Sequence, residues 1–529
     1  MLAPRHSPWS ARVAAVILAG TAACSAPSTA KPPAPQSGPK PTLVVFITVD
    51  QLRPDYFDRF RSQLHGGLAR LMGGGASFVD GYQDHAITET APGHASTMSG
   101  RFPRSTGITR NLVGVNDPAS PLVGAKDLGA SPFRFRGTTL TDWLTSADPR
   151  TRALSVSAKD RAAILPIGRS KQQVFWYANN GTFTTSTYYA DTLPTWLRDF
   201  NARGLPQKLA GTEWRTLLNA SAYSEPDSVP AEAGGRDFTF PHRISADSAA
   251  ATVQIRYTPF MDELTAAVAL EGLRRMDLGR GPTTDVLAVS FSATDYVGHF
   301  FGPESREQHD QIVRLDRVLG AFIDTLYTLR DSARIVFALT ADHGVGFIPE
   351  LHGALRVDIG PAIAAAKGVI AQASGDTAAI DFESGAFFLD RARAGTNVNA
   401  DQVTRAFIAE AGKINGVLRA DRFGDLARAD TARDYIARRW LHMFPDDMLP
   451  AAVVTLKEGN IPNYPIPATH GSPHNYDSHV PIVFYGPPFR PGQYQSFART
   501  VDIAATLAKV LGVTPTERLD GHPLTEAIR

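Results

Sequence analysis

Aspartate, histidine and one threonine occur in this chain in settings suited to metal-assisted chemistry. Three apolar, strand-length runs lead into carboxylates. They are Asp50 in ITVDQLRPD, Asp295 in SATDYVGHF with His299 four residues on, and Asp342 in LTADHG with His343 next to it. Asp offers hard oxygen and His borderline nitrogen, a donor set that suits zinc. Singly, an Asp after a strand is usually a turn former and a lone His is more often structural than a ligand. The set carries the argument. A fourth segment, ITETAPGHASTMSG, puts Pro92 in the first turn of a helix and Thr90 at its capping position. A hydroxyl there faces the positive end of the helix, where backbone N–H groups hold a phosphate oxygen. Alone it is a cap; beside metal ions it becomes a nucleophile.

These residues need a scaffold that brings distant segments together. Val- and Ile-rich runs at Leu43–Val49, Val286–Phe291, Arg334–Thr340 and Val480–Tyr485 predict strands covered on both faces. Between them, Ile312, Leu315, Leu319, Phe322, Ile323 and Leu326 mark one face of a helix, and a second helix is expected from Thr258, with Pro259 in its first turn. Alternation of this kind predicts an α/β fold, a central, mostly parallel sheet flanked by helices on both faces. In such sheets ligands bind at the carboxyl ends of the strands, where Asp50, Asp295 and Asp342 are expected. Two stretches, about 112–255 and about 350–468, alternate poorly and are expected to be insertions that build a cap.

Composition narrows the function classes. The chain has 529 residues, 43% of them hydrophobic, with 53 Lys plus Arg against 52 Asp plus Glu. A balanced charge leaves no footprint for nucleic acid or an anionic membrane, so phosphate recognition has to be local. Arg5 and Arg12 precede a short apolar run, Val13 to Ala19, and small residues follow, the pattern of a signal peptide over residues 1–23. Cys24 is the only cysteine. The preceding Thr21-Ala22-Ala23 resembles a bacterial lipobox without its usual Leu. Cys24 is then either a lipid-anchored N-terminus or an incidental thiol behind an ordinary cleaved leader. Residues 24–41 form a Pro-rich linker, and the catalytic domain is expected over 42–529, periplasmic or secreted and monomeric. No internal membrane-spanning helix is expected.

Asp50, Thr90-Ala-Pro-Gly-His94, Asp295-x-x-x-His299, Asp342-His343 and His470-Gly471 stand in an order that resembles the alkaline phosphatase superfamily. The resemblance runs from about residue 42 to the closing VDIAATLAKVLGV and LDGHPL. It implies two zinc ions, one held by Asp295, His299 and His470, the other by Asp50, Asp342, His343 and the Thr90 oxygen. His470 is chosen over His474 and His479 because its His-Gly step before a final apolar strand resembles related phosphodiesterases. Within the superfamily, Thr90-Ala-Pro-Gly-His lacks the Cys or Ser of sulfatases. Asn111 falls where the Thr-type alkaline phosphatases carry an Asn that donates to a phosphoryl oxygen. Lys159-Asp-Arg161 resembles the Lys-x-Arg of their phosphate-irrepressible members. That pair implies a phosphate monoester as substrate, since a monoester has one more negative charge than a diester, and it implies no catalytic magnesium. The competing readings are a nucleotide pyrophosphatase or phosphodiesterase, and a surface lipoprotein that binds without catalysis.

Overall fold

The structure, a computed structural model, describes residues 39–529. The expected leader, Cys24 and most of the Pro-rich linker lie outside the described residues. Nine strands form the main sheet: β1 (Leu43–Val49), β2 (Ala76–Phe78), β3 (Ala153–Ser157), β4 (Gln173–Tyr177), β5 (Phe183–Thr184), β6 (Asp285–Phe291), β7 (Ile335–Thr340), β8 (Ile482–Tyr485) and β9 (Gly492–Tyr494), in the spatial order β9-β2-β8-β7-β1-β6-β3-β4-β5. The central run β7-β1-β6-β3-β4 is parallel, with β8 antiparallel to β7 and β5 antiparallel to β4. The helices that bear on the site are α1 (Thr90–Ser99), α2 (Asp160–Ile164), α3 (Phe260–Arg275), α4 (Ala293–Phe301), α5 (Arg306–Leu329) and α6 (Asp502–Leu511).

Every residue of β1 is buried, which explains its unbroken apolar run. Val45 and Ile47 pack with Val268 of α3 and Leu319 and Phe322 of α5. Val44 and Phe46 face the other way, toward Ala95 and Met98 of α1 and Leu507 of α6. Helices therefore cover both faces of a mostly parallel sheet, as the alternation predicts. The stripe from Ile312 to Leu326 is the buried side of α5. The Ser305 hydroxyl starts this helix by accepting the Gln308 N–H at 3.0 Å.

Residues 112–255 are not an insertion as a whole, contrary to the expectation from sequence. Strands β3 and β4 lie inside this stretch and belong to the parallel core. Their signal is weak because β3 reads Ala-Leu-Ser-Val-Ser. Ser155 and Ser157 are fully buried yet satisfied: the Ser155 hydroxyl donates to Ala163 O at 2.6 Å, and Ser157 pairs with the Ser292 hydroxyl at 3.2 Å. Residues 350–468 contain a four-stranded antiparallel sheet in the order 380–383, 386–389, 452–456, 417–422. Helices Gly360–Gln372 and Ala400–Ala411 cover one of its faces. Trp440 and Met443 on the other face pack with Ile87, three residues before Thr90.

Candidate active site

The parallel register sets the carboxyl ends of β1, β6 and β7 side by side, with Thr48 opposite both Ser290 and Thr340. Asp50 follows β1 directly, and its N–H donates to Phe291 O at 2.9 Å. Asp342 and His343 follow β7. Asp295 differs from its expected position. The strand ends at Phe291, and Asp295 and His299 lie on α4, one turn apart. A buried carboxylate fixes the start of that helix: Asp262 accepts the Ala293 N–H at 3.1 Å and a Gln311 amide N–H at 2.7 Å.

Thr90 is buried at the first residue of α1, and Glu89, in extended backbone, holds the capping position expected for Thr90. The Glu89 carboxylate accepts the Asn111 N–H at 2.7 Å and the Ser384 hydroxyl at 2.5 Å. Asn111 Oδ1 in turn accepts the Ala91 N–H at 2.9 Å, which leaves its NH2 group as the donor at the mouth of the helix. Gly93 permits the close approach of α1 to the β7 end. A β-carbon there would lie 2.2 Å from Asp342 O.

Two groups of donors converge. In the first, Asp295 Oδ1 lies 3.4 Å from His299 Nε2 and 3.6 Å from His470 Nε2. His299 Nδ1 donates to Ala468 O at 2.9 Å and His470 Nδ1 to Thr88 O at 2.7 Å. Those bonds fix the tautomers, so both Nε2 lone pairs face each other across 3.2 Å. Two lone pairs at that distance repel unless a cation lies between them. Burial, with His343 and His299 as neighbours, holds the His470 imidazole well below its usual range and hence neutral, the ligand form. His474 and His479 are engaged elsewhere, with Leu456 O and Val79 O.

In the second group, Asp50, Asp342 and His343 are fully buried; Asp342 Oδ2 and His343 Nε2, 3.3 Å apart, have no hydrogen-bond partner, and Asp50 Oδ2 has only the Lys159 ammonium beside it. Orphaned buried acceptors are costly unless an ion satisfies them. His94 also approaches, with its ring nitrogens 3.5 Å from Asp50 and 3.4 Å from Asp342. Both are already bonded, to Thr90 O and the Ser290 hydroxyl at 3.0 Å each, so His343 offers the free nitrogen. Against burial, the Asp342 and Asp295 carboxylates raise the His343 imidazole to about 9, so a metal ion held here would have to displace a proton from Nε2. Both donor sets fit metal ions by the chemistry of their free atoms.

Lys159 and Arg161 stand past the end of β3, at the start of α2. The Lys159 ammonium is fully enclosed, 2.5 Å from Asp295 Oδ2 and 3.0 Å from Asp50 Oδ2. Burial alone would lower its pKa; the Asp295 and Asp50 carboxylates outweigh burial and raise it, so it is a fixed cation. Arg161 contacts its neighbour Asp160 at 3.4 Å, and its buried Nε has no partner. Sequence reasoning misses Gln51. This residue adopts a left-handed backbone (φ 65°), rare for a long side chain. Its N–H donates to Asp342 Oδ1 at 3.1 Å and its side-chain amide to Asp295 Oδ1 at 2.8 Å. It thus ties one carboxylate of each donor group to the other.

Residues 44–432 match the model of the type I phosphodiesterase / nucleotide pyrophosphatase family. The chain belongs to this family. It is 31% identical to alkaline phosphatase PafA from Elizabethkingia meningoseptica, over 93% of this chain and 95% of that protein. It is 33% identical to alkaline phosphatase PhoK from Sphingomonas sp, over 92% and 91%. The crystal structure of wild-type PafA superposes with a TM-score of 0.86 at 30% identity, covering 93% of this chain and 99% of that one. A solved variant of PafA substitutes a Thr and an Asn that are 21 residues apart, as Thr90 and Asn111 are, and a Lys and an Arg two apart, as Lys159 and Arg161 are. Murine ectonucleotide pyrophosphatase / phosphodiesterase 5, at 16% identity and TM-score 0.51, shares the fold.

Proposed function

We propose that this chain is a phosphate monoester hydrolase, an alkaline phosphatase with Thr90 as nucleophile and two zinc ions as cofactor. Asp295, His299 and His470 would hold one ion. Asp50 and Asp342, which converge with His94, would hold the other, with His343 as its imidazole ligand because both His94 nitrogens are already bonded. Two such ions supply Lewis-acid charge for the attacking and the leaving oxygen of an in-line displacement. The chain does the positioning. Thr90 Oγ, at the N-terminus of α1, loses its proton and forms a bond to phosphorus as the ester P–O bond breaks and the alcohol departs. Water then attacks the phosphothreonine, releasing inorganic phosphate and restoring the hydroxyl. Two inversions give net retention at phosphorus. The Asn111 NH2 group, Lys159 and Arg161 bind the non-bridging oxygens.

One observation carries the monoester reading. The Lys159 ammonium is a buried cation placed between the two donor groups, 3.0 Å and 2.5 Å from a carboxylate of each. A monoester brings charge that this cation matches; a diester puts an organic group there. The description of the matched family favours the diesterase reading, and the near-full-length alkaline phosphatase relatives favour the monoesterase. The leader pattern supports export, with Cys24 either a lipid anchor or an incidental thiol behind an ordinary cleaved leader. Among the described residues no helix is long and apolar enough to cross a membrane. Acid quenching during turnover of a phosphorus-labelled aryl monoester should leave label on Thr90. Thr90→Ala should lose activity by about a thousandfold or more. Undiminished turnover in that variant overturns the assignment.

A further inference from the structure

A cavity of about 340 Å³ opens beside the donor groups, and it does so on one side only. His299, His470 and Asn111 line it, whereas Asp50, Asp342 and His343 do not. Its far wall comes from the four-stranded sheet and its flanking segments: Ile359, Phe382, Trp440, Val454, Leu456 and Ile466. Its acidic lining residues are Glu89, Glu383 and the fully buried Asp477, which accepts from Ser472, and among the described residues that line it there is no Lys or Arg. Burial, with Glu89 and Asp381 nearby, raises the Glu383 carboxyl even though Arg110 is bonded to it at 2.8 Å. The cavity therefore has an apolar far wall and, among its lining residues, acidic but no basic side chains.

We propose that this cavity binds the organic group of the ester, and that it selects monoesters of uncharged aromatic or branched apolar alcohols over those with a second anionic group. This rests on the phosphatase reading. The leaving oxygen in an in-line displacement departs opposite Thr90. The proposed function pairs Thr90 with the closed group at Asp342, which Gly93 of the same helix approaches. The alcohol then leaves past His299 and His470, into the mouth of the cavity. A volume of 340 Å³ is at the small end of ligand sites and suits one or two fused rings. A sulfonate or second phosphate on the alcohol would meet the Glu89 carboxylate, and a Glu383 whose cation, Arg110, is already engaged with it. Residues 350–468, expected to be only a cap, would set substrate choice.

The test compares phenyl phosphate, 2-naphthyl phosphate and 6-sulfo-2-naphthyl phosphate, whose leaving alcohols are similar aryl oxides. In the wild-type zinc enzyme, kcat/KM should be about tenfold higher for the naphthyl than for the phenyl ester, from burial of the second ring. The sulfonate should cancel that gain. Ile466→Trp, which fills the cavity from a loop, should bring the naphthyl-to-phenyl ratio toward one. Inhibition by inorganic phosphate, which has no organic group, should stay near its wild-type value and report a folded phosphoryl site. A wild-type ratio near one, or a ratio that survives Ile466→Trp, overturns the cavity assignment. Equal rates for the sulfonated and plain naphthyl esters overturn its charge selectivity. A wild-type enzyme that hydrolyses none of the three overturns the phosphatase reading instead.

Discussion

The two donor groups are built from different material. Asp50, Asp342 and His343 sit at the ends of adjacent parallel strands, fully buried, and Asp342 and His343 each keep an atom without a hydrogen-bond partner. Asp295, His299 and His470 come from a helix and a loop, and His299 keeps 26% of its side-chain surface exposed at the cavity. The strand-end group has no freedom to adjust, because β1 and β7 are paired along six residues. The helix-and-loop group depends on backbone carbonyls at Ala468 and Thr88 to aim its imidazoles. A rigid, closed side suits the attacking oxygen, whose position is fixed by α1. An open side suits a leaving group that differs from one substrate to the next.

That contrast can be broken by substitution. Asp342→Asn removes charge from the closed group and should reduce kcat/KM for p-nitrophenyl phosphate by more than about a thousandfold, with metal content falling alongside. Gln51→Ala should act on both groups at once, since Gln51 holds a carboxylate of each. The expected loss is about 10- to 100-fold in metal affinity, measured by chelator competition. A variant that weakens only one of the two sites would show that Gln51 does not couple them.

The smallest effect lies under α4, which carries the open group. Val297 and Phe301 of that helix pack on Ala233, next to Glu232. Burial, followed by Glu307, raises Glu232 from 4.5 to about 9. Between those values the folded protein keeps a proton that the unfolded chain has released, so stability falls as pH rises across that window. Glu232→Gln removes this loss. Its Tm relative to wild type should increase between pH 5 and pH 9, and a constant difference would show that Glu232 is already ionised.

The sequence shows the closed group better than the open one. Leu43–Val49 and Arg334–Thr340 are uninterrupted apolar runs, so the strands that deliver Asp50, Asp342 and His343 stand out, and the ladder begins within one residue of expectation. Asp295 reads as a strand end because the step from β6 into α4 takes only Ser292. Lys159 and Arg161 are visible as a motif, but their support is not. Strand β3 hides behind two serines whose hydroxyls are satisfied only by contacts distant in sequence. Gln51 leaves no sequence signal, because its role depends on a left-handed backbone and on two carboxylates more than 240 residues away.

Lys159 and Arg161 would make this site a monoesterase. The direct measurement is the kcat/KM ratio of p-nitrophenyl phosphate to bis-p-nitrophenyl phosphate, in the zinc-loaded wild type and in Lys159→Ala/Arg161→Ala. The ratio should be large in the wild type and fall by about 100-fold or more in the double variant, with the loss confined to the monoester. A wild-type ratio below one, unmoved by the double substitution, would contradict that expectation and make the protein a phosphodiesterase.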